Sequence, residues 1–119
     1  MAILYQDPLD RTFHALGDGT RRQMLAMLAQ RGECTAGDLG EPFDVAQPTV
    51  SKHIRVLEKA GLLSRHVEGR VHRFRLCEAP LLEAQGWIAE HRKFWTKTLD
   101  QFGEYLDQVG KAEGGRGKS

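Results

Sequence analysis

This sequence of 119 residues has few cysteines and no long apolar run. Its two cysteines, Cys34 and Cys77, lack the CxxC spacing of zinc ribbons and redox enzymes, and they are too few for a disulfide scaffold. The longest apolar stretch, residues 24–29, is far shorter than the roughly 20 residues of a membrane-spanning helix. The N-terminus lacks the basic and apolar segments of a secretion signal. We therefore expect a cytoplasmic protein with free thiols and no membrane contact.

The sequence also lacks the residue groupings that common enzymes need. It contains no glycine-rich phosphate loop, no nucleophile elbow, no Ser-His-Asp set and no pair of catalytic carboxylates that stands out. We therefore expect no enzymatic activity and no cofactor.

Positive charge, by contrast, is concentrated in one segment. Residues 47–75 contain seven lysines and arginines against two acids, a net charge of +5, whereas the rest of the chain carries −4. Such an asymmetry is expected of a surface that neutralises phosphates. On charge alone, a solvated face with scattered arginines explains the segment equally well, so its meaning depends on local structure.

Helix start and stop signals divide the N-terminal half of the chain. The predicted elements are a first helix between Asp7-Pro8 and Gly17, a second between Asp18 and Gly32, an extended piece at 33–35, a brief helix at 36–43, a turn at 44–46 and a helix at 47–60 before Gly61. Leu39 and Phe43 are the expected buried residues of the brief helix.

From residue 63 to residue 76 the pattern is that of two short strands around Gly69, which gives the backbone freedom that a hairpin needs. Phe74 and Leu76 are the expected inward residues, and Arg73 and Arg75 alternate with them on the outer side. Residues 80–109 then have the period of one long helix, with apolar residues repeating every seven positions. We predict one domain over residues 1–109 and a disordered tail at 110–119, which is glycine-rich and charged.

A short helix, a tight turn, a second helix and a hairpin follow each other in the order of a winged helix-turn-helix, whose second helix enters the DNA major groove. On the helix at 47–60, Val50, Ile54 and Leu57 share one face and should pack inward. The opposite face has no acid and no large apolar residue. The predicted DNA-binding residues are Gln47, Pro48, Thr49, Ser51, Lys52, Arg55 and Lys59 on this helix and Arg70 and Arg73 on the wing. A winged helix that binds another protein is the alternative from a different functional class.

Three segments, TRRQMLAMLA, QPTVSKHIRVLEKAGLL and EGRVHRFRL, resemble the ArsR family of dimeric bacterial winged-helix repressors. The similarity extends over residues 13–106. It implies a mainly α-helical fold with a small β-hairpin wing, and a repressor that binds a pseudo-palindromic operator in double-stranded DNA. It also implies a homodimer formed through the first and last helices, with interface residues Leu9, Phe13, Ile88, Trp95, Leu99, Phe102 and Leu106.

The resemblance also indicates where metal-sensing members bind their metal. Their Cys-x-Cys pair, just before an Asp-Leu, is replaced here by Thr35 and Gly37, and the last helix offers only His91. A single histidine cannot hold a tetrahedral metal, so we expect a metal-independent regulator that lacks both known sites. Two alternatives remain open for an effector: a disulfide switch between Cys34 and Cys77, and an unknown small molecule beside Trp87, Phe94 and Trp95. A small buried hydrophobe and an incidental surface thiol are the simpler explanation of the two cysteines.

Overall fold

A computed structural model describes residues 7–112 of the chain. Our expectations for the first six residues and for residues 113–119 lie outside this range. The chain divides after Ala84 into two units, which we describe separately, so the single domain over 1–109 stays a prediction.

The N-terminal unit begins with helices α1 (Pro8–Leu16) and α2 (Gly19–Arg31), at the predicted boundaries. The Asp7 side chain caps α1 by accepting a hydrogen bond of 2.7 Å from the Leu9 amide. Asp18 caps α2 by accepting one of 3.1 Å from the Arg21 amide. Gly32 ends α2 with φ of +82°, a conformation that side chains other than glycine rarely adopt.

Strand β1 (Cys34–Thr35) leads into helix α3 (Ala36–Gly40), and helix α4 (Gln47–Lys59) follows after a turn. Helix α3 ends three residues before the predicted Phe43. Pro42 has no amide hydrogen for a helical bond, and the Phe43 amide instead donates to the Gly40 carbonyl at 3.1 Å, which closes a tighter turn. Glycine at position 40 also allows α3 to approach α4, because a Cβ there would lie 3.1 Å from both methyl carbons of Val50.

Strands β2 (Leu63–Glu68) and β3 (Val71–Leu76) form the predicted hairpin. Gly69 has φ of +61° in the turn between them, at the position where type II′ turns take glycine. The sheet has three antiparallel strands in the order β1-β3-β2, because β1 also pairs with β3. The fold is therefore mainly helical, and its wing belongs to a three-stranded antiparallel sheet, one strand more than a simple hairpin.

One hydrophobic core holds the N-terminal unit together. The inward residues predicted for α4, namely Val50, Ile54 and Leu57, are buried in it, and Phe74 is only 1% exposed. Leu76, the other predicted inward residue of β3, is half-buried, as is Phe43. Met24, Leu28 and Leu39 supply the facing side chains from α2 and α3.

Helix α5 (Ala79–Ala112) starts at the end of the N-terminal unit and forms the described part of the C-terminal unit from Gln85 onward. It is three residues longer at its C-terminus than predicted, so residues 110–112, assigned to a disordered tail, are helical. These residues continue the helical hydrogen bonding because neither glycine nor lysine forbids it, and Gly110 merely lowers helix propensity. In residues 7–112 no helix is both long enough and apolar enough to cross a membrane.

Candidate nucleic-acid interface

The outward face of α4 is polar, basic and solvent-exposed. Its exposed side chains are those predicted to bind DNA: Gln47, Pro48, Thr49, Ser51, Lys52, Arg55 and Lys59. The one acid of the helix, Glu58, lies off this face and binds Arg65 of the wing. Lys52 and Arg55 thus project into solvent with no carboxylate among their described neighbours.

Lys59, near the end of α4, lies in a different setting. It lines a cleft of about 400 Å³ together with Arg11 and His14 of α1 and with Val56 and Ala60. This setting separates Lys59 from the exposed stretch between Thr49 and Arg55.

The arginines of the wing fall into two groups. Arg70, at the exposed turn, makes no ion pair with any residue in the described range 7–112. Arg73 forms ion pairs with Glu68, 3.1 Å from Nε, and with Glu33, 3.8 Å from Nη1, and its side chain is 37% exposed. Arg75 donates to Glu33 at 3.1 Å. Two carboxylates therefore already hold Arg73, the second predicted DNA contact of the wing.

The strand register places a different arginine on the side of the wing that faces α4. Arg65 is opposite Phe74, and Val67 is opposite His72, so Arg65 and His72 share a sheet face with the buried Phe74. Arg73 belongs to the other face. The predicted site does not include Arg65 and His72. Strand alternation already puts His72 on the side of Phe74, whereas the position of Arg65 depends on the pairing of the two strands. A two-residue turn at Gly69-Arg70 is the signal that could have found them.

Arg65 joins α4 to both strands of the hairpin. Its Nε donates to Glu58 Oε2 at 2.9 Å, and Nη2 donates to the other oxygen of the same carboxylate. Nη1 donates to His72 Nδ1 at 2.9 Å, and the guanidinium lies 5.0 Å from the centre of the Phe74 ring. The hydrogen bonds to Glu58 raise the pKa of Arg65, so this guanidinium stays charged.

A second arginine, Arg21 of α2, connects the C-terminal end of α1 to the middle of α4. It donates to the carbonyl oxygens of Ala15 at 2.8 Å and His14 at 3.1 Å, and to His53 Nδ1 at 3.1 Å. The neighbouring Arg22 donates to the Leu16 carbonyl at 2.7 Å. His53 is thus half-buried and hydrogen-bonded. The helix that carries the basic face is therefore held at a set angle to α1.

The register also decides whether the two cysteines can form a disulfide. Cys34 lies opposite Phe74, and Cys77 extends β3 by donating its amide to the Leu62 carbonyl at 2.8 Å. At about 3.3 Å per residue, three residues of strand separate the two Cα atoms by roughly 10 Å, beyond the limit of about 7 Å for a disulfide. The two side chains also point to opposite faces of the sheet. Burial raises the pKa of the Cys34 thiol, which makes it less reactive.

The residues predicted to form a dimer lie on α1 and α5. Leu9 and Phe13 on α1 are half-buried. On α5 the predicted interface side chains are exposed, with Leu99 the most exposed at 66%. These residues are Ile88, Trp95, Leu99, Phe102 and Leu106, and Trp87, Phe94, Tyr105 and Val109 widen the exposed stripe. Phe94 packs edge-on against Trp95, and Trp87 stacks on His91 with 4.1 Å between ring centres.

The side chains that could bind a metal are dispersed. Within residues 7–112 no three histidine, cysteine or acidic side chains come close enough to hold one ion. Thr35, at a position where metal-sensing relatives carry cysteine, caps α3: its hydroxyl accepts from the Asp38 amide at 3.1 Å, and Asp38 accepts from the Thr35 amide at 3.0 Å. A hydroxyl used in this way and a glycine at position 37 do not suit a thiophilic metal.

Comparison with known proteins identifies regulators of transcription. Residues 16–66 match the family model of a helix-turn-helix domain. The chain is 32% identical over 80 residues to the transcriptional repressor SdpR of Bacillus subtilis, covering 67% of this chain and 88% of SdpR. It is 32% identical over 106 residues to the HTH-type transcriptional regulator Rv2034 of Mycobacterium tuberculosis, covering 89% and 94% of the two chains.

A similar solved structure is that of the ArsR family transcriptional regulator RHA00566. It superposes with a TM-score of 0.70 at 38% identity, covering 75% of this chain and 91% of the other. These relatives are regulators and not enzymes.

Proposed function

The chain belongs to the ArsR family of DNA-binding helix-turn-helix transcriptional regulators, and from this premise we propose that it is a dimeric, metal-independent repressor. Each protomer inserts α4 into the major groove of one half-site of a pseudo-palindromic operator. The two helices of the dimer then read successive major grooves. The observation that carries this proposal is the acid-free outer face of α4, with Lys52 and Arg55 free of carboxylate partners in the described chain.

The contacts divide by the reach and chemistry of each side chain. Thr49 and Ser51 are short and lie near the start of α4, where a recognition helix approaches base edges. Lys52 and Arg55 are long enough for a phosphate or for a guanine. Arg70 at the tip of the wing binds the backbone or the minor groove. Gln47 and Pro48 flank the start of the helix, whereas Lys59 and Arg73 bind less strongly because of the cleft and the two carboxylates described above.

Dimerisation is supported by the apolar stripe of α5. Nine of its large apolar side chains, from Trp87 to Val109, are between 38% and 66% exposed. An exposed stripe of this size marks an interface in most proteins. In a dimer with a two-fold axis, the stripes of the two copies cover each other. The same axis also places the two α4 helices at the spacing of the half-sites of a pseudo-palindrome.

Metal independence is supported by the residues at the family's two known metal positions. Thr35 caps α3 with its hydroxyl, and His91 on α5 bonds through Nδ1 to the Trp87 carbonyl oxygen at 2.8 Å. The Thr35 hydroxyl is therefore occupied, and His91 is a single histidine, which cannot hold a tetrahedral metal by itself. We therefore expect zinc, cadmium and arsenite to leave the repressor on its operator.

Alanine substitutions test the DNA-binding face. Replacing Lys52, Arg55 or Arg70 should each weaken binding to duplex DNA and reduce the salt slope by about one unit if the side chain meets a phosphate. Fluorescence anisotropy at two salt concentrations measures both quantities. Arg75→Ala is the matched control, since Arg75 lies on the outer face of the wing and is bound to Glu33.

Two results decide this test. Equal affinity in all three variants and the wild type contradicts the assigned face. A protein that binds a partner protein and no duplex at low salt favours the winged helix as a protein-interaction module.

Sedimentation tests the dimer. The wild type should be a dimer at micromolar concentration, and Trp95→Asp should give monomer or aggregate because it puts a charge into the seam. Lys97→Asp is the control, since it introduces the same carboxylate on the opposite side of α5. A monodisperse wild-type monomer contradicts the proposal.

A further inference from the structure

The cleft between α4 and the wing brings basic side chains together from both elements. It has a volume of about 310 Å³ and is lined by Ser51 and Arg55 from α4 and by Arg65, His72 and Phe74 from the wing. None of its described lining residues is acidic. The cleft therefore has the polar and positively charged rim that an anion requires.

Three features set this cleft apart from an ordinary basic surface. Arg65 is held in place by both oxygens of Glu58, so its Nη1 points in one direction. Arg55 has no ion-pair partner among residues 7–112 and borders the same cleft. His72 sits half-buried on the sheet face that looks toward α4.

The hydrogen bond between Arg65 and His72 assigns a charge state to the ring. A guanidinium can only donate, so His72 Nδ1 must accept the bond of 2.9 Å from Arg65 Nη1. The ring is therefore neutral in this arrangement. The other charged groups around it are Arg55 and Glu58 on α4, whereas Ala36 from α3 is uncharged.

We infer that the cleft receives a backbone phosphate of bound DNA and that His72 takes up a proton from solvent as the phosphate enters. This inference rests on the proposed DNA-binding function. Phosphate oxygens accept hydrogen bonds from Arg55, from Arg65 Nη1 and from the Nδ1-H of the protonated ring. In the neutral ring the same nitrogen accepts from Arg65 Nη1 and has no hydrogen to donate to the phosphate. The negative charge of the phosphate thus favours the protonated ring of His72, whereas the hydrogen bond from Arg65 favours the neutral ring in the free protein.

This coupling makes DNA binding depend on pH in a defined direction. Binding takes up a proton, so affinity rises as pH falls. The added positive charge also neutralises one more phosphate at the lower pH. A salt slope steeper by about 0.9 follows from that contact.

The test measures binding of the full-length protein to a labelled duplex of random sequence at pH 6 and pH 8, at fixed ionic strength. We expect the wild type to bind about three- to tenfold more tightly at pH 6. His72→Gln should lose this difference, because its amide oxygen still accepts from Arg65 but cannot gain a proton. His66→Gln is the matched control: His66 lies on the opposite face of the same hairpin, 3.8 Å from Glu68, and its loss should leave the difference intact.

The outcomes separate the inference from the function on which it rests. An undiminished pH dependence in His72→Gln overturns the inference, and so does a wild type whose affinity does not vary with pH. If Lys52→Ala still weakens duplex binding in that case, the proposed DNA-binding function stands. Absence of duplex binding by the wild type at low salt overturns both the inference and the proposed function. Loss of the difference in His72→Gln alone, with His66→Gln unchanged, supports the phosphate cleft.

Discussion

Helices α4 and α5 both carry an apolar stripe, but the two stripes have different environments. In α4 the side chains of Val50, Ile54 and Leu57 are buried in the core of the N-terminal unit. In α5 the corresponding side chains, such as Leu99, are exposed. Helical periodicity therefore shows which face of a helix is apolar without showing what covers it. The stripe on α5 is exposed, and we propose that a second copy of the chain covers it.

The core is the region where a single substitution should have the largest effect. Phe74→Ala should destabilise the N-terminal unit by about 3–5 kcal/mol, because it removes a buried ring and leaves a cavity. Urea unfolding measures this loss, which should be the same at every protein concentration. Leu99→Ala on α5 should cost stability only at concentrations at which the protein is a dimer. An equal and concentration-independent cost at both sites would remove the distinction between the two helices.

The dependence of the melting temperature on protein concentration is a smaller effect that tests the same difference between α4 and α5. If α5 is covered by a second copy, the melting temperature of the wild type should rise by roughly 2–5 °C for each tenfold increase in concentration, by mass action. Trp95→Asp should abolish this dependence. Differential scanning fluorimetry over a hundredfold range of concentration is sufficient. A wild type whose melting temperature does not change with concentration would show that the stripe is not a dimer seam.

Local capping within the N-terminal unit should have an effect of about 1 kcal/mol. Thr35→Ala removes the hydroxyl that accepts from the Asp38 amide, and loss of such a cap commonly costs this much free energy of unfolding. Hydrogen bonds from the Thr35 amide and hydroxyl lower the pKa of Asp38. Its contribution is therefore present above about pH 4, the ordinary value of an unfolded aspartate, and is lost as pH falls through the lower folded value.

The control for this pH dependence is another aspartate. Asp38→Asn should reduce the slope of the acid side of the stability curve, measured by urea unfolding between pH 3 and pH 6; the remaining slope includes Asp18, whose pKa is lowered by the hydrogen bond from the Arg21 amide. Asp44→Asn should leave it unchanged, since Asp44 makes no hydrogen bond among the described residues. Identical curves for the two variants would exclude the capping box as the source of the pH dependence.

The smallest expected effect concerns the cysteines. Because the register separates Cys34 from Cys77 and places them on opposite faces of the sheet, a mild thiol oxidant should form no disulfide between them. Mass spectrometry of the treated protein should show no loss of two hydrogen atoms within one chain. The double variant Cys34→Ser, Cys77→Ser should bind DNA as the wild type does, with or without reductant. A peroxide-sensitive wild type beside an insensitive double variant would restore the redox switch.

Much of the fold follows from residues close together in the chain. Asp7, Asp18, Gly32 and Gly61 mark helix ends through their own backbone and side-chain chemistry, and the structure confirms the helices that they delimit. The inward face of α4 also follows from spacing alone. Sequence reasoning placed the end of α3 three residues too late, because it did not count the missing amide hydrogen of Pro42.

Local spacing and capping act over a few residues, and they are enough to predict the order of the helices and strands, the buried face of α4 and the polar residues on its outer side. The tertiary structure decided which charges are available. In the folded chain Arg73 is paired with Glu68 and Glu33, Arg65 and His72 lie on the sheet face toward α4, and Cys34 lies opposite Phe74. These relations depend on strand register and on contacts between distant residues. A shift of one residue in the register would move every side chain of the wing to the other face, and no local pattern excludes that shift.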